Sequence, residues 1–275
     1  MKFNLHEDVE YDLKSDLELI SELTHTSIDD LSDFIDTSNI EEVYEYAWGN
    51  NIRINDIKWQ EYKDLDEEGV LFLCHGSRSG IRGDIRLDVS GESNDFGNGF
   101  YCGTMLKQAG MFVAEEPDSS MYIVAFTPNG LKPCPFKVDV DWMLAVAYYR
   151  EQLNQYKDNE RIKSIVSKVD AADYVVAPIA DNRIFELIDA FIDGEITDKQ
   201  CLYALSATYL GRQFVFKKNT TLSHLEIVDH LYLCKSEKDS YSIQSSVESN
   251  TSLNKAIRAR KKFSGEGLYI DELLK

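Results

Sequence analysis

Residues Asn94–Phe112 read NDFGNGFYCGTMLKQAGMF. Gly97 and Gly99 bracket a single residue, Phe100 and Tyr101 follow at once, and Phe112 comes eleven positions after Tyr101. Two readings fit this order. A glycine turn leads into an ordinary strand and helix, with Tyr101 and Phe112 as core. Alternatively the glycines let the backbone turn closely, and the two rings are the walls of a slot for a flat, charged ring.

Working outward, the chain changes character near residue 69. Before it, Leu17, Ile20, Leu23, Ile28, Leu31, Phe34 and Ile35 recur at helical spacings. Ser27 ahead of Ile28-Asp29-Asp30 reads as an N-cap with acids in the first turn. Further helices are expected over 39–48 and 55–62. This 1–66 segment is helix-turn-helix-like, yet residues 16–36 hold seven acids and no Lys or Arg. A recognition helix without cations makes no phosphate contacts, so the segment reads as an acidic cap for packing or partner binding.

After residue 69, strands are expected at VLFLCH, FYCGT, MYIVAFTP, FKVDVDW, DYVVAPIA, RQFVFKK and HLEIVDHLYLC. Helices are expected over MLKQAGMFVAEE, 142–168, RIFELIDAFIDG (capped by Asp181 or Asn182) and 196–211. Glycine-rich residues 76–99 read as a long loop, the kind of segment that carries function. The fold class is α+β. Residues 235–252, rich in Ser, Asn and charge, resemble a linker, and 235–275 as a whole reads as a polar linker and a basic C-terminal helix carrying Arg258, Arg260, Lys261 and Lys262. That basic run is a docking or nucleic-acid contact, or a solvated helix face.

The formal net charge of −19 disfavours non-specific binding to nucleic acid or anionic membranes. No apolar run reaches membrane-span length, and the N-terminus lacks a secretory pattern. Five cysteines without a CxxC point to reduced thiols in a cytoplasm. Five histidines without an HExxH give no reason to expect a metal. The GNGFYCG segment misplaces the third glycine of a dinucleotide fingerprint, and neither a phosphate loop nor a GxSxG elbow is present. Cys74 and His75 are neighbours on a strand, so their side chains diverge and do not make a thiol–imidazole pair. Phe72 and Cys74 share one face, Leu73 and His75 the other.

Three pieces remain: His75-Gly76-Ser77 at a strand end, Gly97-Asn98-Gly99-Phe100-Tyr101 with Phe112 beyond it, and Arg212-Gln213-Phe214-Val215-Phe216. Their order resembles the ADP-ribosyltransferase superfamily, in its diphtheria-toxin and poly(ADP-ribose) polymerase branch, marked by His, Tyr and Glu on three separate strands. HGSRSGIRGDI, DFGNGFYCGT and APIADNRIFE are similar to an uncharacterised bacterial family of that branch, often linked to toxin–antitoxin loci. The likeness covers about residues 69–233.

The resemblance implies an ADP-ribosyltransferase-like split β-sandwich core over 69–234, two small packed sheets behind the helical N-terminal cap. It implies NAD as co-substrate, with no metal. The Gly76 backbone would take the nicotinamide carboxamide, His75 would bond the adenosine-side ribose, and Ser77 would assist at the nicotinamide ribose. Gly99 and Phe100 would shape the pocket, and Tyr101 and Phe112 would sandwich the ring. Arg78, Arg82 or Arg86 would meet the pyrophosphate. The catalytic set would be His75, Tyr101 and Gln213, the last standing where the motif has glutamate. Glutamine bonds the ribose 2′-hydroxyl but brings no charge, and Glu226 or Asp229 is a candidate for the missing carboxylate. The implied activity is a glycosyltransferase reaction, the transfer of one ADP-ribose from NAD to a macromolecule, protein in preference to nucleic acid, by a cytoplasmic bacterial toxin or defence effector whose cap meets an antitoxin or other partner. The alternatives are an NAD glycohydrolase and a catalytically degraded module that binds NAD or a partner.

Overall fold

The computed structural model describes residues 11–65, 68–91, 93–180, 182–206, 211–263 and 265–275. The first ten residues of the expected cap, Asp181 as an N-cap, and positions 207–210 of the expected 196–211 helix lie outside the described residues.

In chain order the elements are helices α1 (Leu13–Thr24), α2 (Ile28–Leu31), α3 (Ile40–Gly49) and α4 (Ile54–Asp64), then strands β1 (Leu71–Ser77) and β2 (Phe100–Gly103). Next come α5 (Leu106–Val113), β3 (Ser120–Phe126), β4 (Pro133–Pro135), α6 (Val140–Tyr149), α7 (Glu160–Ala171), β5 (Tyr174–Pro178), α8 (Asn182–Ile192) and α9 (Asp198–Ser206). The chain closes with β6 (Arg212–Phe216), β7 (Leu225–Leu231), α10 (Lys235–Lys262) and α11 (Ile270–Leu273). The protein is thus mixed α/β, and its register pairs run antiparallel except for β4 with β5. The contacts divide it into two compact units, the first from 1–84, 102–129 and 224–245, the second from 85–101, 130–223 and 246–275.

In the first unit the N-terminal helices start where side chains can satisfy free N–H groups. Asp12, Ser27 and Asn39 each accept from the backbone of the first turn of α1, α2 and α3, so the Ser27 expectation holds. Their apolar stripes meet in a cluster of Leu17, Ile20, Leu31, Val43, Ala47 and Ile54 with Cys234. Each Leu, Ile or Val fully buried there contributes about 1.5–3 kcal/mol relative to exposure. A polar set is buried beside them. The Tyr44 hydroxyl donates to Asp16 Oδ2 (2.7 Å), and Lys58 Nζ lies 2.6 Å from Asp16 Oδ1. Strand β1 pairs with β3 along its whole length, from Leu71↔Phe126 to Ser77↔Ser120, and β3 pairs with β7. Cys74↔Gly103 places the end of β2 on the other side of β1. Helix α5 packs on this surface through Leu106, Ala109 and Val113 against Cys74, Met121 and Ile123.

In the second unit β5 pairs with β6 from Tyr174↔Phe216 to Pro178↔Arg212. The short β4 runs parallel to β5 at an edge where Pro133 and Pro135 are tolerated because no further strand needs their N–H. On the other side of β6 lies the start of β2. The core is built around α6, whose Trp142–Ala147 are wholly buried, with Val175, Ile188, Phe191 and Val215 against it. A helix apolar on every side belongs in an interior.

Three expectations fail: the helix expected over 142–168 is broken into α6 and α7, with residues 150–159 outside both, and two others fail for physical reasons. The alternation in FKVDVDW gives no strand, because Asp139 accepts from Trp142 N (3.0 Å) and starts α6 instead. The expected linker over 235–252 is the first part of α10. Its sequence between 235 and 262 contains neither Gly nor Pro, and Glu237 and Tyr241 near its start are buried, which anchors a helix of otherwise polar composition.

Candidate functional site

The residues singled out by sequence fall in both units: His75, Gly76, Ser77 and Phe112 in the first, Gly99, Phe100, Tyr101 and Gln213 in the second.

In the first unit, His75, Gly76 and Ser77 close β1, as expected. The expected alternation holds. Gly76 turns to the same side as Cys74, where a Cβ would stand 2.8 Å from Ala109 O and 3.0 Å from Val113 Cγ1 of α5. Only glycine lets that helix approach β1 so closely, which accounts for the residue type without a ligand. His75 is opposite Tyr122 in register, with ring centroids 6.3 Å apart. Tyr122 continues into a stack, its ring 4.4 Å from His230, which lies 3.8 Å from Tyr11. The Tyr122 hydroxyl accepts from Ile81 N (2.8 Å) and so ties down the start of the long loop. Phe112, in the last turn of α5, is 58 % exposed, and the Arg78 guanidinium lies 4.8 Å over its ring. Phe112 is therefore not core, though a single exposed apolar side chain is ordinary on a protein surface.

Arg78 also reaches Glu116 at 3.7 Å. Asp229, a candidate carboxylate, is engaged elsewhere in this unit: its Oδ1 lies 3.9 Å from Lys58, and burial raises its carboxyl above the usual range.

In the second unit the two glycines are used differently. Gly97 has φ +69° and its N–H donates to Asn94 O (3.0 Å), a left-handed turn that glycine makes without strain. Gly99 is needed for proximity, since a Cβ there would meet Phe216 O at 2.8 Å and Val215 Cγ1 at 3.0 Å on β6. The Gly99 N–H donates to Ser90 Oγ (2.9 Å). Phe100 is 4 % exposed and turned toward Phe216, so its side chain is core. The Tyr101 hydroxyl donates to Gly97 O (2.6 Å) and accepts from Phe96 N (3.2 Å), fastening the turn to the ring. Burial, with Asp95 nearby, pushes that phenol well above its ordinary value, so it stays neutral. Arg86, a pyrophosphate candidate, pairs with Asp88 at 2.8 Å.

Gln213, opposite Ala177 on β6, is 5 % exposed. Its Nε2 donates to Asp95 Oδ2 (2.6 Å) and to Pro178 O (2.9 Å). Arg150 Nε and Nη2 donate to Asp95 Oδ1 at 3.0 and 2.6 Å, and Ala180 N donates to Oδ2 at 2.9 Å. Burial pushes the Asp95 carboxyl upward, while Arg150, Gln213 and the Ala180 N–H oppose it. The segment Asp95–Gly97 is therefore gripped by Gln213 and Arg150 at one end and by Tyr101 at the other.

Sequence reading missed Asp95 and Arg150. Asp95 stands inside the quoted stretch, but its partners lie 55 to 118 positions away. The signal available was Arg150 itself, a cation ending the apolar run WMLAVAYY. A buried or half-buried arginine at such a place needs a carboxylate.

All five cysteines are buried free thiols. Among the described residues no group of three or more His, Cys, Asp or Glu could hold a metal ion, and no helix is long and apolar enough to cross a membrane. Two surface grooves, one lined by Lys132, Cys134, Ser164 and Lys168 and the other by Ser15, Glu18, Lys58 and Glu61, include none of the expected site residues.

No curated protein and no solved structure gives a significant match to the chain. Residues 71–227, more than half of the chain, match the family described as "Protein of unknown function (DUF3990)", and they take in His75, the Asn94–Phe112 stretch and Gln213. The chain belongs to the DUF3990 family.

Proposed function

We propose that this protein is an NAD-dependent mono-ADP-ribosyltransferase that modifies a macromolecule, protein in preference to nucleic acid, as a bacterial toxin or defence effector. The observation that carries the reading is that His75, Tyr101 and Gln213 each stand on a separate strand, β1, β2 and β6, as the resemblance to the His-Tyr-Glu branch requires. Two features add support. Tyr101 is held by its hydroxyl and packs its ring against the core of the second unit, which fixes the ring's orientation, and Phe112 offers an exposed ring beside Arg78. In the reaction nicotinamide leaves as a neutral ring and the ribose passes through an oxocarbenium-like state. The protein's work is to hold the pyridinium by stacking and the ribose hydroxyls by hydrogen bonds that strengthen as positive charge develops at the anomeric carbon.

Nicotinamide release and NAD affinity, measured in wild type and Phe112→Ala, test the reading. Phe112 is exposed, so its removal leaves the fold intact. Losing one aromatic face of the cationic ring removes about 1–2 kcal/mol, a roughly 5- to 30-fold weaker affinity. Equal affinity in the variant counts against the stacking role, and no NAD binding by wild type removes the proposal.

A second reading, NAD binding without turnover, is favoured by the way Gln213 is locked into a buried network. It predicts affinity without nicotinamide release.

A further inference from the structure

We propose that Asp95 is a positioning residue for this reaction: it fixes the side-chain amide of Gln213 so that the amide oxygen, not the NH2, is presented to the nicotinamide ribose. The inference rests on the NAD-site reading of Gln213 and explains why an amide stands where the resemblance expects glutamate.

The argument is one of hydrogen-bond capacity. A glutamine amide has two N–H donors and one acceptor oxygen. Both donors of Gln213 are used, one on Asp95 Oδ2 and one on Pro178 O. Flipping the amide would set its oxygen against those two oxygens, a carboxylate and a carbonyl, with no proton between them. The orientation is thus fixed by its neighbours. Asp95 is itself held rigidly, by two N–H groups of Arg150 and the N–H of Ala180, and Arg150 Nη2 also donates to Ala180 O (2.5 Å). Gln213 Oε1 has no partner among the described residues and is the atom left to accept. A ribose 2′-hydroxyl is a donor of the matching kind, and an amide polarised by a carboxylate on its nitrogen side is a better acceptor than an isolated one.

The same geometry disfavours an ionised glutamate at this position while Asp95 remains charged. A glutamate side chain on β6 in place of Gln213 would set two carboxylates at about the 2.6 Å that now separates Nε2 from Oδ2, and one would have to bind a proton. Aspartate at 95 and glutamine at 213 are therefore one unit, split between the turn that the Tyr101 hydroxyl fastens and the strand that carries position 213.

The test is a charge exchange. Wild type, Asp95→Asn, Gln213→Glu and the double variant are compared for kcat and KM of NAD in nicotinamide release, each checked by thermal unfolding. Each single variant lowers kcat on the order of 100-fold, with KM for NAD within about threefold of wild type. The double variant recovers little, because the new carboxylate at 213 still faces Pro178 O and the new amide at 95 has to turn an N–H toward the Ala180 N–H or the Arg150 donors. The proposal is overturned if Gln213→Glu alone keeps or raises turnover, or if Asp95→Asn leaves kcat unchanged.

Should a single variant not fold, the wild-type side-chain amide of Gln213 gives the second readout by NMR. Both its protons are expected to resist solvent exchange with and without NAD. Rapid exchange, or protection lost when NAD binds, overturns the clamp. A wild type that neither binds nor consumes NAD defeats the NAD-site reading itself, an outcome distinct from turnover that ignores the 95–213 exchange.

Discussion

Replacing Glu237 by glutamine should make the protein more stable at neutral pH, by an amount set by where this carboxylate lies. Glu237 is in the first turn of α10, 7 % exposed, and accepts from Asn55 Nδ2 at 2.8 Å. Burial is the largest influence and pushes its carboxyl from 4.5 up to about 7. Asp56 adds to the rise, while hydrogen bonds from Asn55 and Tyr241 and the charge of Arg53 oppose it. Between about pH 4.5 and 7 the folded chain therefore holds a proton that the unfolded chain has released. The stability contributed by that proton is complete below pH 4.5, falls as pH rises through the window, and is gone above it. At about 1.4 kcal/mol per pH unit, the displacement from 4.5 to about 7 corresponds to about 3 kcal/mol. Glutamine keeps an oxygen for Asn55 and carries no charge, so Glu237→Gln should match wild type near pH 4.5 and exceed it by about 3 kcal/mol at pH 8. Urea unfolding followed by tryptophan fluorescence at pH 4.5, 6 and 8 reads the difference. A gap that does not change with pH, or a variant less stable at pH 8, would refute the reasoning.

Gly76→Ala should cost about 1–3 kcal/mol, because the new methyl would sit 2.8 Å from a helix carbonyl that cannot move without α5; a melting temperature equal to wild type would mean that α5 does not press on β1 here. Arg150→Met should cost about 3–5 kcal/mol at pH 7 by leaving the buried Asp95 without its cation. That loss should shrink as pH falls and Asp95 takes up a proton, and a loss independent of pH would argue against a charged Asp95.

Much of the fold was legible because it is governed by local rules. The apolar run at Leu71–Cys74, the cap at Ser27 and the turn at Gly97 each follow from a few neighbouring residues. The failures differ in reach, one decided by a neighbour and one by distant packing. FKVDVDW alternates like a strand, but the capping oxygen of Asp139 wins the backbone for α6. The polar run from Lys235 looks like a linker, yet a helix without Gly or Pro forms once Glu237 and Tyr241 find buried places. The site divides in the same way. Its ring-bearing stretch is continuous in sequence. Gly99 was legible as a glycine but not as the residue that admits β6, and the ion pair of Asp95 with Arg150 joins positions 55 apart with no local pattern to announce it. Gln213 is legible as a departure from the glutamate that the resemblance expects, while its buried partner Asp95, 118 positions away, is not.

The most direct test of the central claim is incubation of the purified protein with NAD labelled in its adenylate moiety and a bacterial lysate, followed by separation of protein, RNA, DNA and free nicotinamide. The account predicts label on a macromolecular fraction, protein before nucleic acid, with nicotinamide released in step and both signals lost in Tyr101→Ala. Nicotinamide released without any label on a macromolecule would contradict transfer, and NAD left intact in every fraction would contradict the enzyme.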